Sequence, residues 1–428
     1  MSHPSKVQYP APPQYHVRAV HCDHLATDEE VYLALKRATA PLKEAWARLK
    51  QAGRITVKFN QAWEPGKAPV FEGQLRELVD YKVARATLRL LRENTKAEIV
   101  CTEIATMSRP PRGSIGGRPG AKLAWQDTMT LMPVLREFDV PVIEGNQPPH
   151  KVCQVPGGGL MFKQYLLPAA AVETDAFVSL QKMKNHAFMG VTLCLKNLFG
   201  LPPQEPHGRG RQYFHHIIRL PYVLADLGRI VQPTLNIIDG LVGQARSEWG
   251  GEGRICDTLV AGDQVIATDA CGTYLMGHDP AGDWPNPPFR RDRNAILAAA
   301  ESGFGTVKLE EIDFESEVKA PVAEFDSAKT DPREMVAAWR RTTCEQALYY
   351  RDNWKKLVGQ YAGEYILLQD GEVKWHNKSS ELSWSRRQLA GVRKDSALWL
   401  KLVDPEEAEG EHYGVYERTL ARLKELGL

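Results

Sequence analysis

Residues 54 to 103 place the strongest constraint on the fold. Arg54 to Asn60 alternates as a short strand around Ile55, Val57 and Phe59. Leu78, Val79, Val83, Ala86 and Leu90 then recur at helical spacing within Leu75 to Asn94. Ala97 to Glu103 is a second strand-like run. Strand, helix, strand is the unit of a parallel sheet, because parallel neighbours need a crossover. A helix over Trp125 to Glu137 and a strand over Val140 to Ile143 continue the pattern. The expected fold is α/β, a mostly parallel sheet with flanking helices. Ligand crevices in such sheets open at the carboxyl ends of strands, where Lys58, Asn60 and Glu103 fall. A lysine inside a strand is costly unless exposed or paired, so Lys58 reads either as an edge residue or as part of a site.

A further apolar run, Ala176 to Leu180, reads as a buried strand. Gln181-Lys182-Met183-Lys184-Asn185-His186 follows at once, and Lys196-Asn197-Leu198-Phe199-Gly200 follows after an apolar interval. Three lysines and a histidine thus gather just past a strand end. Ammonium groups need water or a negative partner, so the residues alone leave two readings, a solvated basic loop or an anion site. Lys184 and His186 have the same parity and share a face if the strand runs on through them. Lys196 is expected near the C-terminal end of a helix over Val191 to Phe199, where the helix dipole favours a cation regardless of function.

His215-His216 precede a helix from about Leu220 to Val231, and neighbours on a helix point about 100° apart, so one of the two faces a site. Thr234 to Ile238 reads as a strand ending in Asp239-Gly240, and Leu259 to Asp263 as another. Asp239 there binds a metal, pairs with a lysine or caps the next element. Asp269 falls in a small, apolar helix, so it is either partnered or functional. His21-Cys22-Asp23-His24 holds metal-ligand residue types, but adjacent residues rarely all point inward.

Several of these pieces fit one family pattern. Lys182, Lys184, His186, Thr192, Lys196, Asn197 and Gly200 match "P-K-x-K-x-H … T-x-x-x-K-N-x-x-G", with Gln181 at the usual proline. Lys58-Phe59-Asn60, His215-His216, Leu235 to Gly240 and Gly262 to Asp269 fit in order. Residues 21 to 318 therefore resemble domain-of-unknown-function family 362. The resemblance implies a fold and a site, not a known reaction. Relatives often travel with iron–sulfur modules, which raises a redox-associated protein holding a divalent metal or flavin as an alternative.

The net charge of +1 gives no global field for nucleic acid or a membrane surface. Any anion binding must come from a local cluster. Met1 to Tyr15 is proline-rich without the apolar core of a signal peptide, and no stretch reaches the length of a membrane span. A cytoplasmic protein is expected. The seven cysteines are scattered with no C-x-x-C, which argues for reduced thiols and against a cysteine-ligated iron–sulfur cluster.

Residues 1–20 are expected to be an extended segment and 319–330 a linker. Residues 331–428 are expected to form a small appended α+β unit, with the hairpin turn Asp370-Gly371 between apolar alternations. Ser108 to Gly120, rich in glycine, proline and arginine, reads as a surface loop or lid, and Pro202 to Gln212 as a loop bearing His207, Arg209 and Arg211.

The site expected from these readings has Lys184, His186 and Lys196 as catalytic groups. Lys58, Asn60, Lys182, Asn197 and His215 would bind the substrate, and Asp239 and Asp269 a metal. Clustered ammoniums depress one another's pKa and can leave a neutral lysine as base or nucleophile, and His186 could act as acid or base. The leading expectation is an enzyme on a small carboxylate or phosphate, with a non-catalytic small-molecule-binding protein as the third class.

Overall fold

The strand–helix–strand reading of residues 54 to 103 holds in the structure, a computed structural model that describes residues 15–104, 129–204, 212–327, 331–380 and 397–428. The expected loop Ser108 to Gly120 and the residues His207, Arg209 and Arg211 lie outside the described residues.

The chain begins with β1 (Tyr15–His21), α1 (Asp28–Thr39) and α2 (Lys43–Gln51). Thr27 opens α1 with a capping box, its hydroxyl accepting from the Glu30 amide while the Glu30 carboxylate accepts from the Thr27 amide. Pro41, which cannot donate a helical hydrogen bond, separates α1 from α2. β2 (Arg54–Phe59), α3 (Tyr81–Asn94) and β3 (Glu98–Glu103) complete the crossover. α3 starts later than Leu75 because Asp80 caps it, accepting from the Lys82 amide. α4 (Met132–Glu137) and β4 (Val142–Glu144) extend the same edge.

The central strand is longer than its apolar run. β5 spans Ala176–His186, carries on through the basic residues and folds back into β6 (Gly190–Thr192). The helix expected over Val191 to Phe199 is reduced to one turn, α5 (Cys194–Asn197), followed by a 3₁₀ turn to Gly200. α6 (Arg219–Val231), β7 (Leu235–Ala245), β8 (Glu252–Gly262), α7 (Val265–Leu275) and β9 (Ile312–Ser316) follow. The path through the nine-stranded sheet is β9-β1-β8-β7-β5-β2-β3-β4, with β6 on β5. It is mostly parallel; only β8 and β6 run antiparallel to their neighbours.

Side-chain alternation sends strand residues into two cores. Ile55, Val57, Val178 and Leu180 meet α1 to α4 on one face. Phe177, Ile238 and Val260 meet α6 and α7 on the other. β1 lies where an extended N-terminal segment was expected. Its pattern was masked by His16 and Arg18, which pair with Asp263 and Asp313.

The C-terminal residues form α8 (Arg333–Asp352), a three-stranded antiparallel sheet of β10 (Tyr365–Gln369), β11 (Glu372–Asn377) and β12 (Trp399–Leu402), and α9 (Gly414–Glu425). Trp339, Tyr350, Trp399 and Tyr416 belong to the same apolar cluster as Phe162, Tyr213 and Leu220. Arg219, fully buried at the start of α6, donates to the Leu400 carbonyl at 2.6 Å, to the Tyr416 hydroxyl at 3.1 Å and to Glu411 at 2.9 Å. Lys401 closes the network on the second Glu411 oxygen at 3.0 Å. Burying a guanidinium costs several kcal/mol unless such partners are present. The tail is therefore joined to the α/β core through a shared interior, which argues against its removal leaving the core intact.

Among the described residues no helix is long and apolar enough to cross a membrane.

Candidate functional site

β2 and β3 end side by side against β5, which runs on past them, and the three open into a cleft of about 230 Å³. Lys58, Asn60 and Glu103 lie where β2 and β3 stop, and Gln181 lies beside them within β5. α5 crosses these ends and is pinned there. The Asp269 carboxylate accepts from the amides of Cys194 and Leu195 at 2.9 and 2.8 Å. The Asn197 amide donates to the Lys58 carbonyl at 3.0 Å and the Leu180 carbonyl at 3.3 Å. This fixes Lys196 over the cleft, its ammonium 4.4 Å from the Phe199 ring centroid.

The Lys58 ammonium sits 2.8 Å from the Glu103 carboxylate, both buried. Gly200 packs against it so closely that a Cβ would fall 2.6 Å from Nζ, which accounts for the last glycine of the sequence pattern.

Lys184 is 2% exposed and makes no ion pair among the described residues. Its ammonium donates to the Glu77 carbonyl at 2.6 Å and lies 5.1 Å from the Trp249 ring centroid. Burial lowers its pKa to about 8, opposed by the carboxylates of Glu77 and Glu248 and helped by Lys182.

His186 stacks on His215 with ring centroids 5.8 Å apart. Burial, with Lys196 and Lys184 next in order, holds its pKa well below the ordinary histidine value. His215 is depressed likewise by burial, Lys196 and His186. His186 Nδ1 lies 3.0 Å from the Phe188 amide and 3.1 Å from the Met189 amide, and accepts from both. The neutral ring therefore carries its proton on Nε2, 3.6 Å from Glu248. Such an imidazole donates a hydrogen bond but is a poor base, since taking a proton at Nε2 would need Nδ1 to bear the other. The role of acid or base expected for His186 narrows to that of a donor. The turn after it depends on Gly190, at φ +79°, where a Cβ would meet the Pro288 carbonyl oxygen at 2.9 Å.

The cleft thus brings together Lys58, Asn60, Lys184, His186, Lys196, Asn197 and His215. Among the described residues the Asn60 Oδ1, buried there, has no hydrogen-bond partner. Asn197 spends its amide nitrogen on the Lys58 and Leu180 carbonyls and the Ser179 hydroxyl, and so ties β2 to β5.

Three expected site residues lie elsewhere. Lys182, expected to bind substrate, points into the interior and pairs with Asp239 at 2.7 Å, both 0% exposed. Asp239, expected at a strand end as a metal ligand, is instead in the middle of β7, where it also accepts from the Asp80 amide at 2.7 Å. Between these rungs and Lys184 the β5–β7 register breaks, so parity no longer keeps Lys182 with Lys184. Asp269, the other expected metal ligand, is spent on the α5 amides; burial raises its pKa to about 7 against their pull. Neither carboxylate lines the cleft, and neither is left free for a cation. Asp263 lies at the opposite end of the sheet, on His16. In the His21 to His24 stretch, Asp23 and His24 meet Asp257, with candidate ligand atoms within 4.8 Å of one another.

The structure adds Glu77, which lies before α3 inside the stretch read as helical from Leu75, and Glu248 and Trp249, which lie in an acidic, glycine-rich loop. The Glu77 carboxylate accepts from the Gly250 amide at 2.6 Å and the Trp63 indole at 3.2 Å, and Trp63 meets Trp249 edge to face at 5.9 Å. Glu248 accepts from the Ala187 amide at 2.9 Å. The one signal was Glu248-Trp249 before Gly250-Gly251, an acidic aromatic loop just beyond a strand.

Comparison with known proteins agrees with this architecture. A thylakoid-associated protein of Synechocystis, sll1697, is 26% identical over 156 residues, 35% of this chain and 46% of that protein. The chain thus spans less than half the length of this relative. The family described as Domain of unknown function (DUF362) matches residues 55–274, from the start of β2 to the end of α7 and slightly over half of the chain. With cleft residues and matched span coinciding, the chain belongs to the DUF362 family.

Proposed function

We propose that the protein is an enzyme acting on a small carboxylate or phosphate bound in this cleft, with Lys184 as its reactive group. One observation carries the reading: Lys184 is buried at a strand end with a carbonyl, not a carboxylate, as its hydrogen-bond partner. An ammonium so placed gains from a bound anion what it lacks from the protein. Lys196 adds positive charge, and the Nε2–H of His186 adds a directed donor.

A divalent metal suits this lining poorly, because lysines repel it and Glu103 is engaged by Lys58. A flavin phosphate would face the same cations as any other anion. Seven unpaired cysteines favour a reducing compartment, and we place the protein in the cytoplasm. The likeness to a thylakoid-associated protein supports a second reading, a peripheral position at a membrane.

The test is calorimetric titration with phosphate and with acetate. Both the wild type and a Lys184→Met variant would be titrated, with circular dichroism confirming the variant's fold. Binding to the wild type and loss of at least about tenfold in the variant are expected, since a charge-assisted hydrogen bond contributes roughly 1.5–3 kcal/mol. Equal affinity in both proteins would overturn the assignment.

A further inference from the structure

We infer that the substrate carries an aldehyde or ketone beside its anionic group, and that Lys184 forms a Schiff base with it. This rests on the anion-site reading above and names its substrate class.

The geometry around the amine is that of a nucleophile, not of a structural ion pair. A lysine placed only for charge is stabilised by a carboxylate at ion-pair distance, as Lys58 is by Glu103 and Lys182 is by Asp239. Lys184 has the Glu77 carbonyl instead. A neutral carbonyl accepts an N–H from either the charged or the neutral amine, and holds the proton less firmly than a carboxylate at ion-pair distance would. One donated N–H also orients the nitrogen and leaves its lone pair for an electrophile. The depressed pKa of this amine agrees.

The surroundings fit the remaining steps. Lys196 and the His186 Nε2–H line the same cleft and can hold the anionic group. Glu248 lines it too and can carry protons, one of its oxygens facing His186 at 3.6 Å. The Trp249 ring, near the Lys184 nitrogen, offers a face to the cation that an iminium retains.

The step balances without another reactant. The Lys184 nitrogen bonds to the carbonyl carbon, and the C–O bond breaks. The oxygen leaves as water with two of the three ammonium protons. The third stays on the iminium, so the charge is conserved and nothing is oxidised or reduced.

The test is reductive trapping at neutral pH. The protein would be incubated with pyruvate or glyoxylate and borohydride, digested, and each lysine's adduct yield measured by mass spectrometry. The Lys184 peptide should carry an adduct at a yield at least about tenfold above any surface lysine, in line with its larger neutral fraction. A Lys184→Arg variant should carry none there, and excess phosphate should protect the wild type. Mapping in the wild type decides the matter even if the variant fails to fold. Phosphate or acetate binding without selective trapping at Lys184 would overturn the Schiff base and leave the anion site standing. Absence of both would overturn the two together.

Discussion

Lys58 and Glu103, at the carboxyl ends of neighbouring parallel strands, hold opposite charges 2.8 Å apart in the buried floor of the cleft, and the backbone of Gly200 closes over them. The pair gives the cleft a fixed base, and it makes the last glycine of the sequence pattern a matter of space.

Gly200→Ala should therefore displace the Lys58 ammonium and destabilise the protein by about 1–3 kcal/mol. Lys58→Met should cost about 3–5 kcal/mol, because the buried Glu103 carboxylate loses the ammonium 2.8 Å away. Adding Glu103→Gln should recover part of that loss. Urea unfolding of the three proteins checks this, and no recovery in the double variant would count against a buried pair.

Lys184 should make stability rise with pH. Its pKa is lowered from 10.5 to about 8 on folding. Between those values the unfolded chain binds more protons than the native protein, so stability increases as pH rises through that window. Below about 8 the full cost is present, on the order of 3 kcal/mol. The difference between wild type and Lys184→Met should vary by that order over this window, measured by denaturant unfolding at several pH values. A pH-independent difference would mean that the amine is not desolvated.

Nitrogen NMR of His186 should report a neutral ring with its proton on Nε2 across about pH 5 to 8. The two amides that donate to Nδ1 require that tautomer. An imidazolium in that range, or a proton on Nδ1, would contradict the donor role.

Thiol titration of denatured, non-reduced protein should count all seven cysteines. Burial pushes the thiols of Cys22, Cys101 and Cys256 up to about 12, so the native protein should react slowly. Cys153, half-exposed, should react first. A shortfall in the denatured count would reveal a disulfide.

Deleting residues 331–428 should give an aggregating core, because Arg219 loses Leu400, Glu411 and Tyr416 together. Glu411→Gln, which keeps the packing, should cost about 3–5 kcal/mol in the intact chain. A soluble, cooperatively unfolding truncated core would show that the shared interior is dispensable.

What was legible in the sequence had a local cause. The alternation of Ile55, Val57 and Phe59 and the Asp370-Gly371 turn each follow from neighbours in the chain. The gathering of Lys58, Lys184, His186 and Lys196 was legible too, because cations beside apolar runs need a reason. Lys182 and Asp239 misled for a physical reason. They stand on paired rungs of β5 and β7, and each alone looks like the charged end of a strand. Only the pairing, which no local pattern encodes, shows that both strands run on. The same holds for β1, whose His16 and Arg18 find their carboxylates about 250 and 295 residues away.

The Arg219 network also sets a timetable for synthesis. The ribosome releases the chain from its amino terminus, and domains generally fold as they emerge. Arg219 cannot reach Leu400, Glu411 and Tyr416 until those residues have left the exit tunnel. Until then α6 presents a guanidinium, and the apolar surface around it, to whatever chaperone waits at the tunnel mouth. Arg219 thus waits, during synthesis, for partners 181 to 197 residues further along the chain.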